Sequence, residues 1–244
     1  MLEEVDRYAL LRLNEVVKAS IDGYENFEYH MIFHAVHNFC VIDMSNFYLD
    51  VIKDRLYVEK ADSVTRRAAQ TTIYRVLDTL TRLIAPILAF TSEEIWKFMP
   101  HDSSCNTESV LFNDMPKPID DINVELTARW DKIHLIRDDV KKALENARAE
   151  KIIGASLDAE ISVYADGEMY DFLNSVEDLA SVFIVSKVVL VKGGTGEYKG
   201  EQNLSVTVKH AEGEKCARCW KYSGDVGVEA EHPTLCARCA EVLK

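Results

Sequence analysis

No apolar run in this 244-residue sequence approaches the roughly 18 residues that a membrane-spanning helix needs. The opening stretch MLEEVDRYALLRLNEVV is acidic and amphipathic, so it lacks the basic-then-apolar pattern of a secretory leader. A soluble, cytoplasmic globular chain with no membrane partner is expected. Positive charge is also short: 28 Lys and Arg against 41 Asp and Glu give a net charge of −13. Such a field repels polyanions and acidic membrane surfaces, which argues against unspecific nucleic-acid binding. It leaves room for a polyanion held at a local patch, because phosphate attraction is set by the groups at the interface. Cysteine is nearly missing from the body of the chain. Only Cys40 and Cys105 lie outside the last thirty residues, and the other four of the six fall together in the tail. Four closely spaced cysteines in such a chain fit a metal site better than disulfides.

At 48% hydrophobic, the sequence can fill one large core or two smaller ones. From Leu2 to about Ile21, Leu2, Val5, Ala9, Leu13, Val16 and Val17 recur at three- and four-residue steps, the period of an amphipathic helix that Gly23 can stop. FEYHMIFHAVHNFCVIDMSNFYLDVIKDR, residues 27–55, is apolar almost all round and predicts a central bundle helix bent near Met44 and Ser45. Ser63 can cap a third helix with Ala69, Ile73, Val76, Leu77, Leu80 and Ile84 inward, ended or kinked at Pro86. Thr91 and Glu94 form a capping-box pattern for a short helix closed by Pro100. Residues 101–121 are polar and aperiodic, with Pro116 and Pro118, and read as a connector. A long helix follows from Val124 to Lys151, with Gly154 just past its end. Beyond it, AEISVYA, SKVVLV and LSVTVKH alternate as strands, with a helix over GEMYDFLNSVEDLA. The chain is therefore expected to be mainly α: a helical bundle over 1–100, a linker and long helix over 101–154, a small α/β domain over 155–212, and a tail over 213–244.

The tail carries the sharpest chemical signal. Cys216 and Cys219 are followed after sixteen residues by Cys236 and Cys239, a C-x2-C-x16-C-x2-C zinc spacing. Each C-x2-C turn presents two thiolates about a tetrahedral edge apart. A unit of thirty residues cannot bury enough apolar area to fold alone, whereas zinc contributes on the order of 10–16 kcal/mol in comparable peptides. Four sulfur ligands leave no open position, so one structural Zn2+ is expected. A pair of redox C-x-x-C motifs is the rival, disfavoured because neither copy is expected to follow a strand and open a helix. His232 is expected in a surface loop. Trp220, directly after a ligand and flanked by Arg218, Lys221 and Tyr222, suits an unpaired base; a tryptophan packed on the knuckle as a miniature core suits it equally.

Other clusters say less. Arg55, Arg66, Arg67, Arg75 and Arg82 could form a phosphate-facing stripe, but solvated faces and ion pairs with Asp54, Asp62 and Asp78 are the plainer expectation. His30, His34 and His37 share helical spacing without a carboxylate or thiol at a matching step, so packing is expected there rather than metal binding.

The stretches YALLRLNEVV, FCVIDMSNFYLDVIKDRLY and APILAFTSEEIW resemble the anticodon-binding domains of class I aminoacyl-tRNA synthetases. LENARAEKIIGASLDAEI and the CARCWKY tail with its second CARC look more specifically like the C-terminal part of a bacterial-type isoleucyl-tRNA synthetase. The tail also resembles the zinc finger of certain DNA glycosylases. Tyr8 departs from the Trp frequent in the family. The resemblance implies an anticodon-binding bundle, a tail that covers the anticodon loop, and tRNA(Ile) as partner. It implies RNA contacts at Trp220, Arg218, Lys221, Tyr222 and Arg238. No HIGH-like or KMSKS-like signature is present, so the chain is expected to be an inactive, monomeric piece of a ligase, cut at a domain boundary with Met1 added. ATP-dependent aminoacylation would fall to catalytic and editing domains in cis. The rival readings are a free-standing zinc-ribbon adaptor for protein or other nucleic-acid partners, and a redox protein.

Overall fold

The computed structural model describes residues 2–119 and 123–244, and the end of the expected connector, 120–122, lies outside the described residues, as does Met1. In chain order the helices are α1 (Glu4–Glu25), α2 (Tyr29–Asn38), a π-helical stretch Phe39–Tyr48, the short α3 (Leu49–Val51) and α4 (Lys53–Tyr57), α5 (Val64–Ile84), α6 (Ala89–Phe98) and α7 (Val124–Ala149). The strands then begin. The order is β1 (Ala159–Ala165), α8 (Gly167–Asn174), α9 (Leu179–Phe183), β2 (Lys187–Lys192), β3 (Tyr198–Lys199), β4 (Leu204–His210), β5 (Glu214–Lys215), β6 (Tyr222–Ser223) and α10 (Ala237–Leu243). The chain is mainly helical, and no helix among the described residues is long and apolar enough to cross a membrane. It divides into two compact units: residues 1–49 with 61–127, and residues 50–60 with 128–244.

In the first unit α1 packs on α2, α5 and the π-helical stretch. The α1 residues Val5, Ala9, Leu13, Val16 and Val17 are buried, as their spacing predicts. Gly23 does not stop the helix. It is a close-approach position, since a Cβ there would lie 2.7 Å from Ile32 Cγ1 on α2. The expected bend near Met44 is spread over the π-helical stretch, whose wider turn brings Phe39, Met44, Phe47 and Tyr48 into the core. Buried there, the Tyr48 hydroxyl donates to the Asp6 carboxylate at 2.7 Å, which satisfies both polar groups. The inward stripe of α5 differs from the expected one: Ala68, Ala69, Thr72, Val76, Thr81 and Leu83 are buried, while Leu77 is exposed. Two threonines can sit inside because their hydroxyls donate to carbonyls one turn back, Thr72 to Ala68 at 3.1 Å and Thr81 to Leu77 at 2.7 Å. Thr91 is inside α6 rather than at its cap, because the helix starts at Ala89. Residues 113–119 run without regular structure, and Asn14 clips them by accepting from the Ile119 N–H at 2.7 Å and donating to its carbonyl at 2.8 Å.

The second unit is a four-stranded sheet of order β2-β1-β4-β3 with a separate two-stranded ribbon, β5-β6. β1 and β2 are parallel, joined by the α8–α9 crossover that parallel pairing requires. β1 is one of the two inner strands, and its Ala159, Ile161 and Val163 are fully buried. Its Glu160 is buried too, and is neutralised by its two cross-strand partners, Lys187 at 3.3 Å and Lys209 at 3.2 Å. From α7, Arg137 donates to the Val182 carbonyl at 3.1 Å and Asp139 accepts the Gln202 N–H at 3.0 Å, tying that helix to α9 and to the β3–β4 turn. Past the end of α7, Lys151 at φ 61 is the left-handed residue that stops the helix, with the Ile152 N–H donating to the Ala147 carbonyl, so Gly154 is not the terminator.

Candidate metal centre and nucleic-acid interface

The first C-x2-C is the tip of the β5–β6 ribbon. Lys215 pairs with Tyr222, the Cys216 N–H donates to the Lys221 carbonyl at 3.0 Å, and the Trp220 N–H returns to the Cys216 carbonyl at 2.9 Å. Gly213, at φ 94, is where the ribbon crosses so closely that a Cβ would meet Ser223 O at 2.3 Å. The second C-x2-C opens α10 with Cys236 as its N-cap, whereas the first follows β5 and opens no helix, so neither copy does both, as expected. Seven residues carry too little periodicity to announce a helix in sequence. No regular strand precedes it.

The two pairs converge. All four sulfurs lie within 4.8 Å of one another, with Cys219 and Cys236 Sγ 3.9 Å apart. Tetrahedral zinc with bonds of about 2.3 Å requires sulfurs about 3.8 Å apart, so the cage fits that ion. Cys216, Cys236 and Cys239 are buried and Cys219 half-buried, under a lid of Val58, Val226 and Leu235. Burial pushes the Cys219 and Cys239 thiols up. Burial also works against ionising Cys216, but N–H groups of Cys219, Cys236 and Arg218 outweigh it and pull that thiol down to about 6. One of these donors, the Cys236 amide, reaches Cys216 Sγ at 3.3 Å. Amides aimed at a sulfur favour the thiolate a metal needs. No other group of three or more metal-ligating side chains occurs among the described residues. His30, His34 and His37 are exposed on α2, where Phe33 stacks on His37 with ring centres 5.4 Å apart. His232 is half-buried in the loop before the second pair, and is not among the converging ligand groups.

Trp220 is 62% exposed and adopts φ 64, so its indole stands out from the knuckle rather than forming a core. Arg218, half-buried, donates to the Val58 carbonyl at 3.0 Å, while its buried Nε has no partner. Lys221 is half-buried, and its charge acts on Asp54. Tyr222 is half-buried, its N–H donating to Ser186 Oγ at 2.8 Å and its ring meeting His210 edge-on at 4.8 Å. Arg238 forms a bidentate pair with Asp54 at 2.5 and 2.7 Å. Sequence reasoning missed this pair and the Val58 contact, because partners 184 and 160 residues away leave no local signal. Of the bundle arginines, Arg82 does pair with Asp78 on its own helix. Burial alone would raise the Asp54 carboxyl, but the hydrogen bond and charge of Arg238, with the charge of Lys221, hold it below the usual range. A depressed carboxylate stabilises the fold at and above its unfolded value of about 4 and loses that contribution as pH falls through the folded value. Arg238 is 44% exposed, so solvent screening reduces the pair's worth. A double-mutant cycle of Asp54→Asn and Arg238→Gln, read by urea unfolding at neutral pH, should give a coupling of about 0.5–1 kcal/mol. A coupling of zero would mean that the bidentate geometry does not hold the tail.

Residues 6–163 match the family described as "Anticodon-binding domain of tRNA ligase". The chain belongs to this family. Residues 213–242 match a second, described as "Zinc finger found in FPG and IleRS", so the cysteine cage lies inside a zinc-finger domain suited to one structural zinc. Over 249 residues the chain is 51% identical to the isoleucine–tRNA ligase of Thermoanaerobacter sp. (strain X514), covering 100% of this chain and 27% of that protein. The isoleucine–tRNA ligases of Desulforamulus reducens and of Bacillus mycoides (strain KBAB4) are 48% and 47% identical with the same coverage. The chain thus spans 27% of the length of these relatives.

Proposed function

We propose that this chain is the anticodon-recognition part of an isoleucine–tRNA ligase, holding the anticodon stem-loop of tRNA(Ile). Catalytic and editing domains of the same polypeptide would carry out ATP-dependent aminoacylation. The observation that carries the reading is Trp220, an indole 62% exposed on a knuckle with cations beside it, the surface an unstacked base requires. Cys216, Cys219, Cys236 and Cys239 hold one zinc, which fixes the knuckles and, with four thiolates, keeps no position open for chemistry. Arg218 and Lys221 stand beside the indole and attract the flanking phosphates. Tyr222 and Arg238, each committed to a protein partner, reach the RNA with their remaining edges. The working division is an anticodon-binding bundle over 1–100, a connector and long helix over 101–154, an α/β domain over 155–212 and the zinc tail over 213–244. Lacking HIGH-like and KMSKS-like signatures, the chain alone is inactive in aminoacylation and acts as a monomer in the cytoplasm.

The test is binding to tRNA(Ile) and to a non-cognate tRNA across a salt series. Tighter binding of tRNA(Ile), with a shallow salt slope set by the few cations at the knuckle, is the expected result. Equal affinity for both tRNAs overturns the reading.

A further inference from the structure

A cavity of about 490 Å3 opens in the second unit beside the zinc finger, between the 50–58 segment, the turn at 180–184 and the first knuckle. That volume lies within the range of about 300–1,000 Å3 typical of ligand sites. Two exposed aromatic rings line it, Trp220 at 62% and Tyr57 at 73% exposure. Its wall also carries two side chains held in left-handed backbone, Trp220 at φ 64 and the β-branched Ile184 at φ 58. Both have local causes, since Ile184 is the left-handed cap that ends α9 and Trp220 closes the knuckle turn by donating its N–H to the Cys216 carbonyl, and these turns set the shape of the wall. Lys53, Arg218 and Lys221 line the same space. The acids among its lining are balanced, Asp54 by Arg238 and Asp50 by Lys53 at 2.5 Å, which leaves Arg218 and Lys221 to make the local balance positive on an acidic chain.

Resting on the anticodon reading above, we infer that this cavity receives one unstacked nucleobase of the bound loop, with Tyr57 as a second stacking wall beside Trp220 and Arg218 and Lys221 meeting its phosphate. A flat aromatic ligand with an anionic flank is what such a site selects, since every base has a π face and the cations meet its backbone. Tyr57 belongs to α4, in the eleven-residue stretch that the chain contributes to this unit. The inference therefore gives that stretch a binding role.

The experiment uses the whole zinc-loaded chain and a tRNA(Ile) anticodon stem-loop carrying 2-aminopurine at one loop position at a time. One position should lose its fluorescence on binding, the signature of stacking on an aromatic ring. Tyr57→Ala should restore that fluorescence and weaken binding roughly tenfold, while Tyr57→Phe keeps both and zinc content is unchanged in each. Because Tyr57 is exposed, the alanine variant leaves the core intact. Wild-type affinity and quenching in Tyr57→Ala, or a phenylalanine variant as weak as alanine, overturns the stacking wall while leaving the anticodon reading standing. Absence of any hairpin binding by the wild-type chain overturns both.

Discussion

Removing the metal should unfold residues 213–244 and leave the first unit standing. The ribbon strands are two residues each and α10 has seven, so this unit has little apolar area of its own. Zinc bound by four thiolates contributes on the order of 10–16 kcal/mol to such a fold, more than any other interaction available to it. The first unit, by contrast, buries α1, α2 and α5 on one another without a metal ligand. After chelation by a strong zinc chelator, circular dichroism should therefore lose little more than the α10 signal. The effect should extend to one distant place. Val58, 1% exposed, packs on the cysteine cluster, so amide exchange should rise at residues 50–60 together with the tail. The native chain should contain one zinc, and Cys239→Ser should release it with the same consequences. A zinc-free preparation with a folded tail and reduced cysteines, or collapse of most of the helix signal on chelation, would refute this account.

Replacing Trp220 by alanine should weaken tRNA(Ile) binding roughly tenfold or more with zinc content still at one per chain. Stacking of a base is worth about 1–3 kcal/mol per alanine substitution. A buried tryptophan would behave differently, because its loss costs about 3–5 kcal/mol of stability, which would take the zinc with it. At 62% exposure Trp220 belongs to the first class. Its φ of 64 supplies a control. Trp220→Gly relieves the left-handed backbone, so it should fold at least as well as the alanine variant and bind as poorly. Arg218→Ala is expected to act on two levels, since it removes a cation beside the indole and the hydrogen bond to the Val58 carbonyl. A Trp220→Ala chain that keeps full affinity, or one that loses zinc, contradicts the assignment.

What the sequence determined by itself was local. The cysteine spacing defined a zinc cage because each C-x2-C turn is a matter of four residues, and a tetrahedral ion needs only two such turns brought together. The helices of the bundle and the strands over 159–165 and 204–210 were legible because burial of one face imposes a period of 3.6 or 2 on neighbouring residues. Even so, Gly23 read as a stop and proved to be a contact, since a glycine's meaning depends on what approaches it. Only the tertiary structure decided that residues 50–60 join the unit containing the zinc finger, that Asp54 holds Arg238, and that Tyr57, Ile184 and Trp220 line one cavity. The physical reason is separation along the chain. Propensity and ligand spacing act over a few residues, whereas a salt bridge spanning 184 residues exists only once folding has brought its ends together.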